Sequence, residues 1–359
     1  MAKGDPLLEV KNLRAFYPSR KGLIRAVNDV SFEIRSGECL GILGESGCGK
    51  SSLALAIIGL FDKLARYTAA TSKIPGLRKQ FDEDGEEKPG STGKVIFRER
   101  DLFTLEEEKL VALRGKEISM IPQGLTHALN PQYSVGMQTG EPLDIHDEDM
   151  RLLEMKKQVL EFLNLVRLAD AGTRFVMDPG SFSGGEAQRI LIAMALISAP
   201  YLVIADEPTS ALDVTIQRQI LNVLRMVRDD FDVSLMLISH DAGVIAELAD
   251  RVAVMYAGRI LEIGDAVQMF HHPGHPYTIG LMGSFPTIAM MRMKAGGKRP
   301  ILRGIPGDPP DIADLPAGCA FHPRCAHCID ICKVEVPEFK EVEPRHWVGC
   351  HRWGDITEE

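Results

Sequence analysis

The sequence predicts an α/β fold organised around a phosphate-binding loop, and three observations carry that expectation. The first is Gly44-Glu45-Ser46-Gly47-Cys48-Gly49-Lys50-Ser51, set between the apolar run 39–43 and the helix-compatible run 52–58. Strand, glycine-rich turn and helix are the context that such a loop requires. The second is a pair of further apolar runs, 201–205 and 233–239, which deliver Asp206-Glu207 and His240-Asp241 at their ends. Open α/β sheets place their ligands at the carboxyl ends of strands. The third is size: 359 residues, 45% of them hydrophobic, can bury a large core plus an appendage.

The loop chemistry is direct. Glycines at 44, 47 and 49 let backbone N–H groups approach phosphate oxygens without Cβ clashes. The following helix aims its positive end at the same anion. Lys50 then reaches the β and γ phosphates, and the hydroxyl of Ser51 ligates Mg²⁺. The net charge of −9 argues against a nucleic-acid binder. No apolar run approaches the roughly 20 residues that span a bilayer, and the N-terminus lacks a signal-peptide core. A cytosolic chain that reaches a membrane only through partners is expected.

Taken in order, residues 7–10 and 26–34 read as antiparallel strands, joined to the loop strand through the Ser36-Gly37 turn. Tyr17 lies between them, either a surface tyrosine or an aromatic face on which an adenine stacks. Residues 62–92 are polar and rich in glycine, proline and charge, with the run Asp82-Glu83-Asp84-Gly85-Glu86-Glu87, and read as an exposed, solvated insertion. Strand character returns at 94–97 and 118–122, which leads to Gln123. Residues 134–180 are helical in period, with Leu152, Met155, Val159, Phe162 and Val166 on one face as core packing. Ser183 and Glu186 have capping-box spacing at the start of a helix through Ile197. Behind Gly184 and Gly185, that start is either a plain cap or a second phosphate-binding terminus. Asp206 is placed to hold Mg²⁺ through water, Glu207 to orient or deprotonate the attacking water, and His240 to contact the γ-phosphate.

Seven cysteines are unevenly spread: Cys39 and Cys48 lie near the loop, and five fall between 319 and 350. In a cytosolic setting that group reads as a metal or cluster site before it reads as disulfides. Cys325-Ala326-His327-Cys328 has zinc-like spacing, with His322 and His351 nearby. Four thiolates suit an iron–sulfur cluster equally, and free structural thiols are the third reading.

The loop at 44–51, Gln123, Ser183-Gly184-Gly185, Asp206-Glu207-Pro208-Thr209-Ser210, Ala211-Leu212-Asp213 and His240 together resemble the ATP-binding subunit of an ABC transporter, over about residues 7–265. The resemblance implies a phosphate-loop NTPase (RecA-like) core, an N-terminal antiparallel β subdomain and a helical subdomain at 133–180, all within an ATPase domain at 1–265. It implies that Gly44 through Ser52 and Tyr17 bind ATP. Ser51, Gln123 and Asp206 hold Mg²⁺, and Glu207, His240, Gln123 and Asp213 serve hydrolysis, with Asp213 working across the interface. Two such subunits sandwich two ATP molecules, so Ser183, Gly184, Gly185 and Glu186 contact the ATP of the partner. The signature departs from the commonest pattern at Phe182, where leucine is usual, and at Glu186, where glutamine is.

Residues 270–278, 305–310 and 318–325 further resemble the tail of oligopeptide/dipeptide-type importers, a subgroup that includes nickel and oligosaccharide importers. A small cysteine-rich C-terminal domain at 266–359 is implied. Cys319, Cys325, Cys332 and Cys350 match the tail associated with a 4Fe–4S cluster, with Zn²⁺ as the alternative and Cys328 as an extra cysteine. The expected assembly adds a second, different ATPase subunit, two membrane permeases and an extracytoplasmic binding protein, with this chain peripheral on the cytoplasmic face. Peptide import is the expected function; oligosaccharide or nickel import, or a soluble ABC ATPase, are the alternatives.

Overall fold

Buried apolar strands and the helices that cover them account for most of the core. The structure, a computed structural model, describes residues 4–19, 22–65, 90–124, 128–147, 149–210, 212–285 and 304–356. Most of the expected insertion at 62–92, the positions 125–127 that follow Gln123, and Ala211 lie outside the described residues. No helix among the described residues is long and apolar enough to cross a membrane. The chain divides into two compact units, one of residues 1–9, 33–40 and 95–238, the other of 10–32, 41–94 and 239–359.

The first long strands are β1 (Pro6–Ser19) and β2 (Gly22–Arg35), followed later by β4 (Gly90–Phe97) and β5 (Arg100–Asp101); their order in the sheet is β2-β1-β4-β5. This is the expected antiparallel β layer, but its strands run longer than the apolar stretches that announced them. Lys11, Asn12 and Arg14 are exposed within β1, so their polarity masks strand character that the pairing maintains.

In the first unit, β6 (Ile118–Ile121), β7 (Leu202–Asp206) and β8 (Ser234–Ser239) are parallel, with Ile118 opposite Leu202 and Leu202 opposite Ser234. Every residue of β7 is buried, as expected of a parallel strand covered on both faces. The helical part contains α3 (Val135–His146), α4 (Leu152–Leu165), α5 (Ala171–Arg174) and α6 (Gly184–Leu196), after a short α2 (Glu107–Leu113). The expected core face of α4 needs correction. Val159 and Val166 are fully buried, but Leu152 is 76% exposed and Leu163 is buried instead. Leu152 is the first residue of α4, and α3 approaches the helix farther along, with Gly140 against Met155 and Val159. A period of 3.6 identifies a stripe, not how far the covering helices extend along it.

In the second unit, β3 (Cys39–Leu43) contributes its last residues and α1 (Lys50–Ile57) follows the loop. Strands β9 (Arg251–Tyr256) and β10 (Arg259–Asp265) form a hairpin whose turn residues, Ala257 and Gly258, both have positive φ, 48° and 81°. That is the backbone handedness that matches strand twist. Near the C-terminus β12 (His346–Val348) pairs antiparallel with β10, and β11 (Lys340–Glu343) with β12. The carboxylate of Glu262, on β10, is fully buried. It accepts the backbone N–H groups of Gly274 (2.6 Å) and His275 (2.8 Å), and His346 Nε2 lies 2.7 Å away. A buried charge persists only with such partners. His275 Nδ1 in turn accepts the Tyr277 N–H at the start of α10 (Pro276–Gly283), after α9 (Ala266–His271), and burial pushes the imidazole down to about 4, leaving it neutral.

Candidate nucleotide site

The phosphate loop is braced by its own unit. A Cβ on Gly49 would sit 1.9 Å from the carbonyl oxygen of Ala26, and one on Gly44 2.2 Å from that of Met255. Gly47, at φ +79° with open space around it, is needed for its backbone conformation instead. The Gly258 N–H donates to the Cys48 carbonyl at 2.9 Å, fixing the loop to the β9–β10 turn. Lys50 is 5% exposed, and its Nζ donates to the carbonyls of Gly44 (2.8 Å) and Glu45 (2.9 Å), spanning the loop's mouth. Helix α1 starts at Gly49, at φ 108° with no side-chain cap, so its first N–H groups have no competing side-chain acceptor there. Burial pushes the Cys48 thiol up despite the nearby Lys50 charge, so it sits as a neutral packing group.

Tyr17 packs its ring on Phe61, centroids 4.3 Å apart, and its hydroxyl shares a hydrogen bond with Ser52. It is therefore held beside the loop helix, half-buried, with burial raising its phenol. His240 follows β8 and is exposed; the next residue, Asp241, caps α8 (Ala242–Leu248) by accepting the Gly243 N–H at 2.8 Å.

The acidic pair belongs to the first unit. Asp206, the last residue of β7, is 2% exposed. Glu207 takes a left-handed conformation, φ 49°, while its N–H donates to the Ile238 carbonyl at 2.9 Å. A non-glycine residue in that region is held there by its surroundings. The turn directs Glu207 to Gln123, whose Nε2 donates to its Oε2 at 3.0 Å. Residues 84 positions apart in sequence are thus joined.

The second helix start has the expected capping box: Ser183 Oγ accepts the Glu186 N–H, and Glu186 Oε2 accepts the Ser183 N–H at 3.0 Å. Arg174 forms an ion pair with the other carboxylate oxygen of Glu186. Those contacts, with the Arg174 hydrogen bond foremost, hold the Glu186 carboxyl at about 2. Gly184 and Gly185 form the first turn of α6, and a Cβ on Gly185 would meet Ile216 at 2.7 Å. Asp213 caps α7 (Val214–Phe231), accepting the N–H groups of Thr215 (3.0 Å) and Ile216 (3.1 Å). Within this chain it is a helix cap.

In the tail, Cys319, Cys325, Cys332 and Cys350 line one small pocket together with His322, His327 and His351; Cys328 is not part of that lining, and its thiol lies 3.6 Å from the Ile329 carbonyl. None of the seven cysteines is in a disulfide. Burial pushes Cys319 and Cys325 to about 11. Two of the histidines spend a ring nitrogen on backbone carbonyls: His322 Nδ1 on Cys319 (3.0 Å) and His351 Nε2 on Glu335 (3.0 Å). Among the described residues no group of three or more His, Cys, Asp or Glu is arranged to hold a metal ion.

Sequence reasoning gave no site role to Arg324 or Tyr277, yet both touch the loop. Tyr277 Oη accepts the Glu45 N–H at 3.0 Å, and Arg324 grips the Glu45 carboxylate with both terminal nitrogens, at 2.7 and 3.0 Å. The partners are 279 residues apart for Arg324, and no local pattern links them.

Comparison with known proteins agrees with this geometry. Residues 27–210 match the ABC transporter family and residues 261–332 the oligopeptide/dipeptide transporter C-terminal region. The chain is 41% identical over 354 residues to a putative peptide import ATP-binding protein of Brucella ovis, covering 98% of this chain and 99% of that protein. It is 40% identical over 350 residues to the oligopeptide transport ATP-binding protein OppD of Escherichia coli, covering 98% and 94%. It is 42% identical over 346 residues to the dipeptide transport ATP-binding protein DppD of Bacillus subtilis, covering 96% and 94%. A solved dimeric bacterial ABC transporter cassette superposes with a TM-score of 0.60 at 24% identity, over 72% of this chain and 99% of that one. The chain belongs to the ABC transporter ATPases, in the branch that carries the oligopeptide/dipeptide transporter C-terminal region.

Proposed function

We propose that this ATPase drives import of dipeptides and oligopeptides, docked on two permease subunits at the cytoplasmic face and fed by an extracytoplasmic binding protein. The observation that carries the substrate class is identity of about 40% across nearly the whole chain, tail included, to proteins named for peptide transport. A second ATPase subunit of different sequence completes the motor.

Lys50 and the loop N–H groups bind the β and γ phosphates, and Tyr17 turns its ring to the adenine. Ser51, Gln123 and Asp206 hold Mg²⁺, whose charge offsets that of the phosphates. Glu207 orients and deprotonates water, and its 3.0 Å contact with Gln123 keeps the carboxylate in place. His240 contacts the γ-phosphate. Ser183, Gly184, Gly185 and Glu186 reach the partner's ATP, and Asp213 works at the same interface. Dividing the donors between subunits ties hydrolysis to closure of the pair.

The four thiols that line one pocket are soft donors of the number a 4Fe–4S cluster takes, with Cys328 outside that lining; they are not drawn together as ligands, so loading would have to gather them. Thiols held near 11 must lose protons to bind metal, so loading would be coupled to ordering of the tail. When bound, such a group would staple a segment poor in apolar mass.

The test is to purify the native complex, identify its chains and the molecule on its binding protein, and measure ATPase activity with peptide present. Permeases, short peptides and peptide-stimulated turnover are expected. Glu207→Gln in that complex should lower turnover by roughly 100-fold or more while retaining ATP, as loss of a general base does. A sugar or a nickel complex on the binding protein would overturn the substrate class. Absence of permeases would restore the soluble-ATPase reading.

A further inference from the structure

We propose that Arg324 is a positioning residue of the ATPase, neutralising Glu45 so that the phosphate loop accepts a polyanion. The inference rests on the nucleotide reading of residues 44–51 and goes beyond it, because it gives the C-terminal region a part in ATP affinity.

Glu45 is the second residue of the loop, a carboxylate within a turn whose task is to gather negative phosphate oxygens. Left alone, it would repel them. Every polar group of Glu45 is engaged within its unit. Its carbonyl accepts Lys50 Nζ, its N–H donates to Tyr277 Oη, and its two carboxylate oxygens accept Arg324 in a bidentate fork. The side chain of Arg324 is 6% exposed and that of Glu45 24%. Arg324 is itself fixed. Its Nε donates to the Pro306 carbonyl at 2.9 Å, and one terminal nitrogen lies 3.4 Å from Tyr256 Oη. Beneath it, Tyr256, Tyr277 and Phe321 form an aromatic cluster with centroids 4.6 to 5.4 Å apart.

A planar guanidinium held this way matches both carboxylate oxygens, which an ammonium cannot do. The pair therefore does two things. It cancels the charge of Glu45 beside the phosphate cradle, and it fixes that carboxylate to a buried arginine. Arg324 precedes Cys325 and follows Phe321, so the arginine is mounted on the cysteine-rich segment itself. The tail thereby bears on the loop through one ion pair.

The experiment uses the full-length chain and measures MgATP affinity with a fluorescent ATP analogue, alongside KM and kcat, at two salt concentrations. Arg324→Gln should raise Kd and KM about tenfold, the scale of one unscreened charge contact at low salt, with kcat changed less than about twofold. Added salt should narrow the difference. The double variant Glu45→Gln/Arg324→Gln should recover most of the lost affinity, because the repelling charge is gone. Arg324→Lys should fall between, retaining charge without the fork. Unchanged affinity in Arg324→Gln overturns the proposal. So does a double variant as weak as the single, since a merely structural arginine would not be rescued by removing its partner. Lys50→Ala serves as the control: if it too leaves affinity intact, the nucleotide reading of the loop fails rather than the role of Arg324. Melting temperatures of all variants separate folding loss from affinity loss.

Discussion

Two helix starts in this chain carry glycines and face the same question, what satisfies their first N–H groups, and they answer it differently. At Gly49 the backbone is left-handed, no side chain caps α1, and the Lys50 ammonium rests on the loop carbonyls. At Ser183 the chain supplies its own partners: a hydroxyl on the Glu186 N–H, a returning carboxylate on the Ser183 N–H, and Arg174 on that carboxylate. The first terminus has no side-chain cap of its own, whereas the second has a full capping box. Under the proposed function, in which the subunit keeps its own nucleotide and lends Ser183 to a partner's, such a difference is what the two starts would need. Engaging a partner's ATP would then require Ser183 Oγ to leave its contacts with Glu186, 3.0 and 3.4 Å.

The largest effect that tests the comparison is at the loop. Lys50→Ala should weaken ATP binding by roughly 100-fold, since charge-assisted contacts are worth about 1.5–3 kcal/mol each. Fluorescent-nucleotide titration reads this directly, and an unchanged Kd would mean the open terminus is not an anion site. Ser183→Ala should affect the fold instead. Loss of the cap is expected to cost about 1 kcal/mol, seen as a lower melting temperature, with ATP affinity of the isolated chain unchanged. A fall in that affinity would erase the distinction between the two starts. The smallest effect is a pH dependence. The Glu186 carboxyl is depressed from its ordinary 4.5 to about 2, first by Arg174 and then by the Ser183 N–H. A depressed value stabilises the fold above pH 4.5 and ceases to do so as pH falls toward 2. The melting temperatures of wild type and Glu186→Gln should therefore differ at neutral pH and converge across that window; a constant gap would show that the carboxylate charge is not what closes this terminus.

Much of the site was legible because its signals are local. The capping box needs only Ser183 and Glu186 three residues apart, and it forms as expected. The buried runs before Asp206 and His240 became the parallel strands β7 and β8, because four to six consecutive apolar residues have few other places to go. The face of α4 was partly misread at Leu152, the exposed first residue of the helix, because periodicity does not say how far along a stripe neighbouring elements pack. The cysteines illustrate both cases. Their number and crowding were plain, but only the fold separates Cys328 from the four that share a pocket.

By itself the sequence determined the phosphate loop, the order of strands and helices around it and the family, since each rests on residue types at fixed short spacing. Tertiary structure alone decided that Glu207 is held by Gln123, that Glu262 anchors the C-terminal strands, and that Arg324 closes on Glu45. These contacts join residues brought together by strand pairing and burial of aromatic rings. Charges so far apart in the chain have no periodicity to betray them; they meet because a buried or half-buried ion requires a partner wherever the backbone delivers one.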